Sequence, residues 1–168
     1  MSTGVLRRRG IRWAVLAVVV AGLFAAATPA QAWSGYSLQH WMSGKCLDAD
    51  RNTWYSNGGK VQVWDCNGSA NQQWWANWGA DWTPISTPGS PDGPSKCLDA
   101  WPNGSYTWGY KVSVWDCNGQ TQQGWQYTYR VQNQRFGLYL DVPYGWDPAN
   151  GQDVGLLTWQ DNTSQIWS

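Results

Sequence analysis

Glutamate is absent from this chain, and His40 is its one histidine. Both shortages bear on catalysis. A serine or cysteine nucleophile needs a neighbouring base, and a lone histidine without triad context supplies none. All eleven acidic residues are aspartates. No C-x-x-C pair occurs, which removes the usual spacing for zinc or dithiol chemistry. Asp48-Ala49-Asp50-Arg51-Asn52 opens like a calcium loop, but Thr53 and Gly59 stand where that loop needs glycine and a bidentate acid. Neither a metal nor a cofactor is therefore expected. Helical signals are almost absent beyond the first thirty residues.

The N-terminus also lacks something. Its apolar run, Trp13 to Ala27, has fifteen residues, short of the ~20 that span a bilayer. Arg7, Arg8, Arg9 and Arg12 precede or open it, and Ala30-Gln31-Ala32 follows. The pattern reads as a signal peptide over residues 1–32, leaving a secreted, extracellular domain over 33–168. That domain of 136 residues carries seven Lys and Arg against eleven Asp, a formal charge of −4 with no basic cluster. Nucleic acid and, once the signal is cleaved, membrane lose their electrostatic attraction and are not expected as partners.

What is present is a pattern written three times. Cys46-Leu47-Asp48, Gly58, Val61-Gln62-Val63-Trp64-Asp65-Cys66 and Asn71-Gln72-Gln73-Trp74 return 51 positions later. There they read Cys97-Leu98-Asp99, Gly109, Val112-Ser113-Val114-Trp115-Asp116-Cys117 and Gln122-Gln123-Gly124-Trp125. A worn third copy follows after another 42 positions, with Tyr139-Leu140-Asp141, Gly151, Val154-Gly155-Leu156-Leu157 and Ser164-Gln165-Ile166-Trp167. A unit this short cannot bury its own apolar face, so three copies must share one core. Short β-rich runs between Gly, Asn, Asp and Pro clusters make the domain all-β. Asn57-Gly58, Asn103-Gly104 and Asn150-Gly151 mark turns.

Four cysteines in an exported chain allow three disulfide pairings. Only Cys46–Cys66 with Cys97–Cys117 keeps the internal symmetry. Alternation along Val61–Trp64 places Val61 and Val63 on one face, and Gln62 and Trp64 on the other. The valine face is apolar in every copy and belongs to the core, so Trp64 and Trp115 point away from it. Joining the cysteines brings Asp48 and Trp64 to one hollow, and Asp99 and Trp115 to another.

These residues resemble the ricin B-type lectin repeat, the family that includes xylanase-type carbohydrate-binding modules. KCLDA, the V-x-V-W-D-C-N-G strings and Q-x-W carry the resemblance, which covers essentially all of residues 36–168. It implies a β-trefoil of three pseudo-equivalent four-stranded lobes, approximately 36–78, 79–126 and 127–168. It also implies a shallow sugar pocket in each lobe. In the first, Asp48 accepts from vicinal hydroxyls, Trp64 stacks on the pyranose, Gln62 and Asn71 complete the contacts, and Gln72 and Asn67 buttress the carboxylate. The second keeps Asp99, Trp115, Asn118 and Gln123 but has Ser113 and Gln122 in the Gln62 and Asn71 slots. The third keeps Asp141 and Gln165 but has Leu157 for the ring, and is expected not to bind. Tyr139 and Trp159 are expected to pack together where the third disulfide is missing. Trp54, Trp108, Trp146, Tyr55, Tyr106 and Tyr144 could extend a stacking platform or simply pack over the lobes. The expected partner is a mono-, oligo- or polysaccharide, with a galactose-type or plant cell-wall glycan as the candidates. The competing reading is a protein-binding adaptor or hydrolase inhibitor acting through the Pro-rich connection Thr83–Ser95, with vestigial sugar sites.

Overall fold

A computed structural model describes Met1 and residues 35–89, 95–106, 109–143 and 146–168, with the backbone alone over 102–106. The segment read as a signal peptide, Trp108, Tyr144 and the side chain of Tyr106 lie outside the described residues.

Each copy contributes a hairpin and a closing tryptophan. The first holds β1 (Gly35–Tyr36), β2 (Cys46–Ala49), β3 (Gly59–Trp64) and β4 (Trp74–Trp75). The second holds β5 (Lys96–Tyr106), β6 (Gly109–Asp116) and β7 (Trp125–Tyr127). The third holds β8 (Val131–Asn133), β9 (Tyr139–Asp141), β10 (Gln152–Asp153) and β11 (Gly155–Leu157). A single 3₁₀ turn precedes each closing tryptophan, at Ala70–Gln72, Thr121–Gln123 and Thr163–Gln165. The hairpins share one antiparallel register: Asp48 faces Gln62, Asp99 faces Ser113 and Asp141 faces Gly155.

Burial follows the alternation. Val61, Val63, Val112, Val114, Val154 and Leu156 are each exposed by 1% or less, and Trp74, Trp125 and Trp167 not at all. A buried indole N–H needs an acceptor, and the repeat supplies one three times. Trp74, Trp125 and Trp167 donate Nε1–H to the carbonyls of Leu47, Leu98 and Leu140 at 2.9, 2.9 and 3.1 Å. The chain closes on itself in two rings. One runs through the hairpins, with β3 bonded to β6, β6 to β11, and β10 back to β3. The other joins each closing tryptophan segment to the next copy's run-in: Trp75 with Ser86, β7 with β8, and Trp167 with His40. At the hairpin crossing a Cβ on Gly109 would lie 2.0 Å from the Leu156 carbonyl, so only glycine fits.

Both disulfides form as the symmetry requires, with Cα separations of 5.1 Å for Cys46–Cys66 and 5.0 Å for Cys97–Cys117. Each closes about twenty residues and contributes on the order of 3 kcal/mol in the chain-entropy model. In the third copy Tyr139 meets Trp159 edge-on at 5.5 Å, and the Arg130 guanidinium sits 4.2 Å from the Trp159 ring centre. A cation and two rings thus occupy the place of the missing bridge. Of the two readings open for these aromatics, Trp54 takes the packing one: it is 7% exposed and lies in the core. Only Tyr55 and Trp146 of that group stand exposed among the described residues.

Candidate functional site

The first hairpin puts Asp48, Gln62 and Trp64 on the face opposite the valines. They line a hollow of about 580 Å³ together with Asp50, Arg51, Asn52, Lys60, Asn67, Asn71, Asn150 and Gly151. Trp64 is 38% exposed at its edge. Asp48 is 3% exposed, and its anion is met by amides. Gln62 Nε2 donates to Oδ1 at 3.0 Å; Asn71 Nδ2 and Gln72 Nε2 donate to Oδ2 at 2.8 and 3.0 Å. Gln72 is fully buried; it also donates to the Asp65 carbonyl and accepts from the Asn67 N–H. The Asn67 side chain serves its own turn by accepting from the Ser69 N–H at 2.9 Å.

This arrangement differs in one respect from a carboxylate that receives both members of a hydroxyl pair. Two internal donors fill the Oδ2 lone pairs, leaving Oδ1 with room for one external hydroxyl. Asn71 Oδ1 is buried with no partner, and an orphaned buried acceptor calls for an explanation. Asp48, whose Oδ1 keeps one acceptor position, and Asn71 both line the hollow. Burial pushes the Asp48 carboxyl above the usual aspartate range, and the Gln62, Gln72 and Asn71 hydrogen bonds oppose that rise.

In the second copy Gln123 donates to Asp99 Oδ2 at 2.8 Å and accepts from the Asn118 N–H at 2.8 Å, matching Gln72. The Asn118 side chain accepts from the Gln120 N–H. Gln122 does not take the part of Asn71. Its Oε1 accepts from Arg135 Nη1 at 3.4 Å, and no hydrogen bond joins it to Asp99 among the described residues. The longer side chain carries its amide past the carboxylate to the neighbouring turn. Ser113 is 1% exposed and its Oγ has no partner. Trp101 stands where the first copy has Asp50. It lies opposite Lys111 as Trp115 lies opposite Cys97, with the Asp99–Ser113 pair between them. The two rings meet with centroids 4.4 Å apart, so Trp101 closes over that pair. Alternation could have revealed this, because Cys97, Asp99 and Trp101 share a face.

The third copy keeps its carboxylate as structure. Asp141 is 2% exposed and accepts from Ser164 Oγ at 2.9 Å. Leu157 offers no aromatic face. His40 is fully buried against Trp167, with Nδ1 2.8 Å from Ser43 Oγ and Nε2 3.1 Å from the Ser164 carbonyl. Both nitrogens are committed, and desolvation lowers its pKa against the Ser164 contact. A separate cleft of about 620 Å³ lies between the Thr83–Gly89 segment and the second disulfide, with Trp75, Trp82, Pro84 and Pro88 in its walls.

A closed β-trefoil with aromatic-and-carboxylate hollows is the class that this geometry defines. The family model for ricin-type β-trefoil lectin domain-like sequences matches residues 92–159. β-Galactoside-specific lectin 2 of Viscum album is 28% identical over 134 residues, covering 74% of this chain and 21% of the lectin. The chain therefore spans about a fifth of that curated relative's length. Among solved structures, the designed threefold-symmetric protein ThreeFoil superposes with a TM-score of 0.66 at 25% identity, covering 79% of this chain and 95% of its own. An exo-β-1,3-galactanase from Clostridium thermocellum gives a TM-score of 0.67 at 25% identity, over 80% of this chain and 29% of the enzyme. The chain folds as a β-trefoil, and residues 92–159 are similar to the ricin-type lectin domain that its repeats resemble.

Proposed function

We propose that this protein is an exported, non-catalytic carbohydrate-binding module whose principal site is the first-copy hollow. The observation that carries the reading is the pairing, in one hollow, of a part-exposed Trp64 ring with acceptors on Asp48, whose Oδ1 takes one bond from Gln62 and has room for another, and on the side-chain amides of the lining. A pyranose offers C–H bonds to the ring and vicinal hydroxyls to the acceptors. The name of the Viscum album lectin makes β-galactosides the first candidates. A single site of this kind has a dissociation constant on the order of 0.1–10 mM. Asp48 and Asp50 share the hollow, yet they do not form a hydrolytic pair. Amide donors occupy Asp48, and Asp50 Oδ1 is tied to the Asn52 amides at 3.0 and 3.1 Å.

The test is retention of the mature protein on galactose resin and on insoluble xylan, chitin and cellulose, with and without competing soluble sugar. Sugar-reversible retention on at least one supports the reading. Passage through all four, with capture instead by a protein partner at the Trp75–Trp82 cleft, supports the adaptor.

Covering of the second hollow makes a separate prediction. Trp101→Ala exposes Trp115, Asp99 and Ser113, and calorimetry should show the number of saccharides bound rising from one to two. An unchanged stoichiometry would mean that Trp101 is not what closes the site.

Acid should weaken binding before it weakens the fold. Hydroxyls donate to an ionised Asp48, whose pKa lies above the ordinary aspartate range because of burial. Retention should therefore fall with a midpoint above that range. The folded state holds this proton more tightly than the unfolded chain does, so the Asp48 contribution to stability rises as pH falls through the raised value. Retention and melting temperature, measured together from pH 7 to 4, should separate.

A further inference from the structure

Each pocket tryptophan is followed by an aspartate held by a residue of a different copy. Asn150 Oδ1 accepts from the Asp65 N–H and from Lys45 Nζ, both at 2.9 Å, while Asn150 Nδ2 donates to Asp65 Oδ2 at 2.7 Å. Lys45 Nζ completes the triangle at 2.6 Å from Asp65 Oδ1. The second pocket repeats it. Asn57 Oδ1 accepts from the Asp116 N–H at 2.8 Å and from Lys96 Nζ at 3.1 Å, Asn57 Nδ2 donates to Asp116 Oδ2 at 2.7 Å, and Lys96 pairs with Asp116.

The glycine after each asparagine extends the contact. Gly151 and Gly58 have φ of +89° and +82°, a region open to glycine. Their N–H groups donate to the Val63 and Val114 carbonyls at 2.9 Å. A Cβ on either would lie 3.7 Å from Cζ3 of Trp64 or Trp115. The turn thus backs the ring itself. Lys60, at the hollow's rim, is held from the same side by the Gly151 carbonyl at 2.6 Å and by Asp153 at 3.2 Å. In the third copy the corresponding positions are Leu138 and Thr158, with Trp108 in the asparagine slot. None of the clasp's charged or amide residue types is kept at these three positions of the sequence.

We propose that the first-copy hollow is a two-copy site in which Asn150 is a positioning residue. It fixes Asp65 and, through the peptide joining Asp65 to Trp64, the orientation of the ring on which the saccharide stacks. The third copy has no working pocket of its own; its Asn150-Gly151 turn is the back wall of the first. This inference deepens the carbohydrate-binding reading and rests on it.

Asn150→Ala and Asn57→Ala remove equivalent clasps, so both should lower the melting temperature alike. Asn150→Ala alone should weaken first-site affinity, by about tenfold, measured with the soluble sugar that elutes the unaltered protein from its resin. Asn57→Ala should leave that affinity unchanged. A second readout needs no glycan. The Trp64 indole N–H resonance, assigned by its loss in Trp64→Phe, should shift in Asn150→Ala and stay put in Asn57→Ala. If Asn150→Ala does not fold, Asn150→Asp keeps the side chain's shape but sets a carboxylate against Asp65, and it is read in the same way. Equal affinities and an unmoved Trp64 resonance in the Asn150 variant would overturn the proposal while leaving sugar binding intact. Failure of the unaltered protein to bind any glycan would instead remove the reading beneath it.

Discussion

Trp64→Ala should abolish retention on whichever glycan the unaltered protein binds, while leaving the melting temperature within a few degrees. The ring is 38% exposed and points away from the core, so its removal opens no cavity. Truncating an aromatic anchor at the centre of a binding site typically costs about 2 kcal/mol or more, roughly 30-fold in affinity. From a millimolar starting point that ends measurable binding. Asp48→Ala should abolish retention as well, but it is the less clean variant. Three amide donors, on Gln62, Asn71 and Gln72, lose their acceptor at once. Each buried donor left unpaired costs about 1–3 kcal/mol, so lost binding and lost structure would arrive together. Persistence of binding in Trp64→Ala would place the ligand elsewhere.

Trp125→Ala should be the most damaging substitution for the fold. The residue is fully buried and its indole donates to the Leu98 carbonyl at 2.9 Å. Truncation of a core tryptophan costs about 3–5 kcal/mol, a large part of the roughly 5–15 kcal/mol that holds a domain together. Because the copies share one core, the loss should appear as a single transition at lower temperature, with no surviving pair of lobes. Trp125→Phe separates the two components. It keeps most of the apolar area and leaves the Leu98 carbonyl unpaired, so it should cost about 1–3 kcal/mol. Chemical denaturation followed by near-ultraviolet circular dichroism and by fluorescence tests this. Two separated transitions in Trp125→Ala would contradict a common core.

The repeat made the architecture readable because the same positions recur with the same chemistry. Val61 and Val63 fixed which face of β3 is inside, and their counterparts repeated the answer twice. The disulfide pairing followed from symmetry, and the Tyr139–Trp159 contact from what must fill a vacated bridge. Three kinds of information were out of reach. Whether Trp54 joins a platform or packs over its lobe stayed open in the sequence; Asp50 turns that segment back over the core through backbone bonds from Thr53 and Trp54 at 2.9 and 2.8 Å. No local pattern announces such a return. Asn150 was legible only as the first half of an Asn-Gly turn, because its partners lie 85 and 105 positions away and in a different copy. Gln122 illustrates a third limit: one added methylene relative to asparagine was enough to send its amide to Arg135 instead of Asp99.

The most direct test is titration of the ¹⁵N-labelled protein with soluble galactosides, xylo-oligosaccharides and chito-oligosaccharides, following the indole N–H signals. The Trp64 signal should shift saturably with at least one sugar, while those of Trp74, Trp125 and Trp167 stay fixed beneath it. A Trp64 signal unmoved by every sugar, or saturable shifts confined to Trp75 and Trp82, would contradict saccharide recognition at the first hollow.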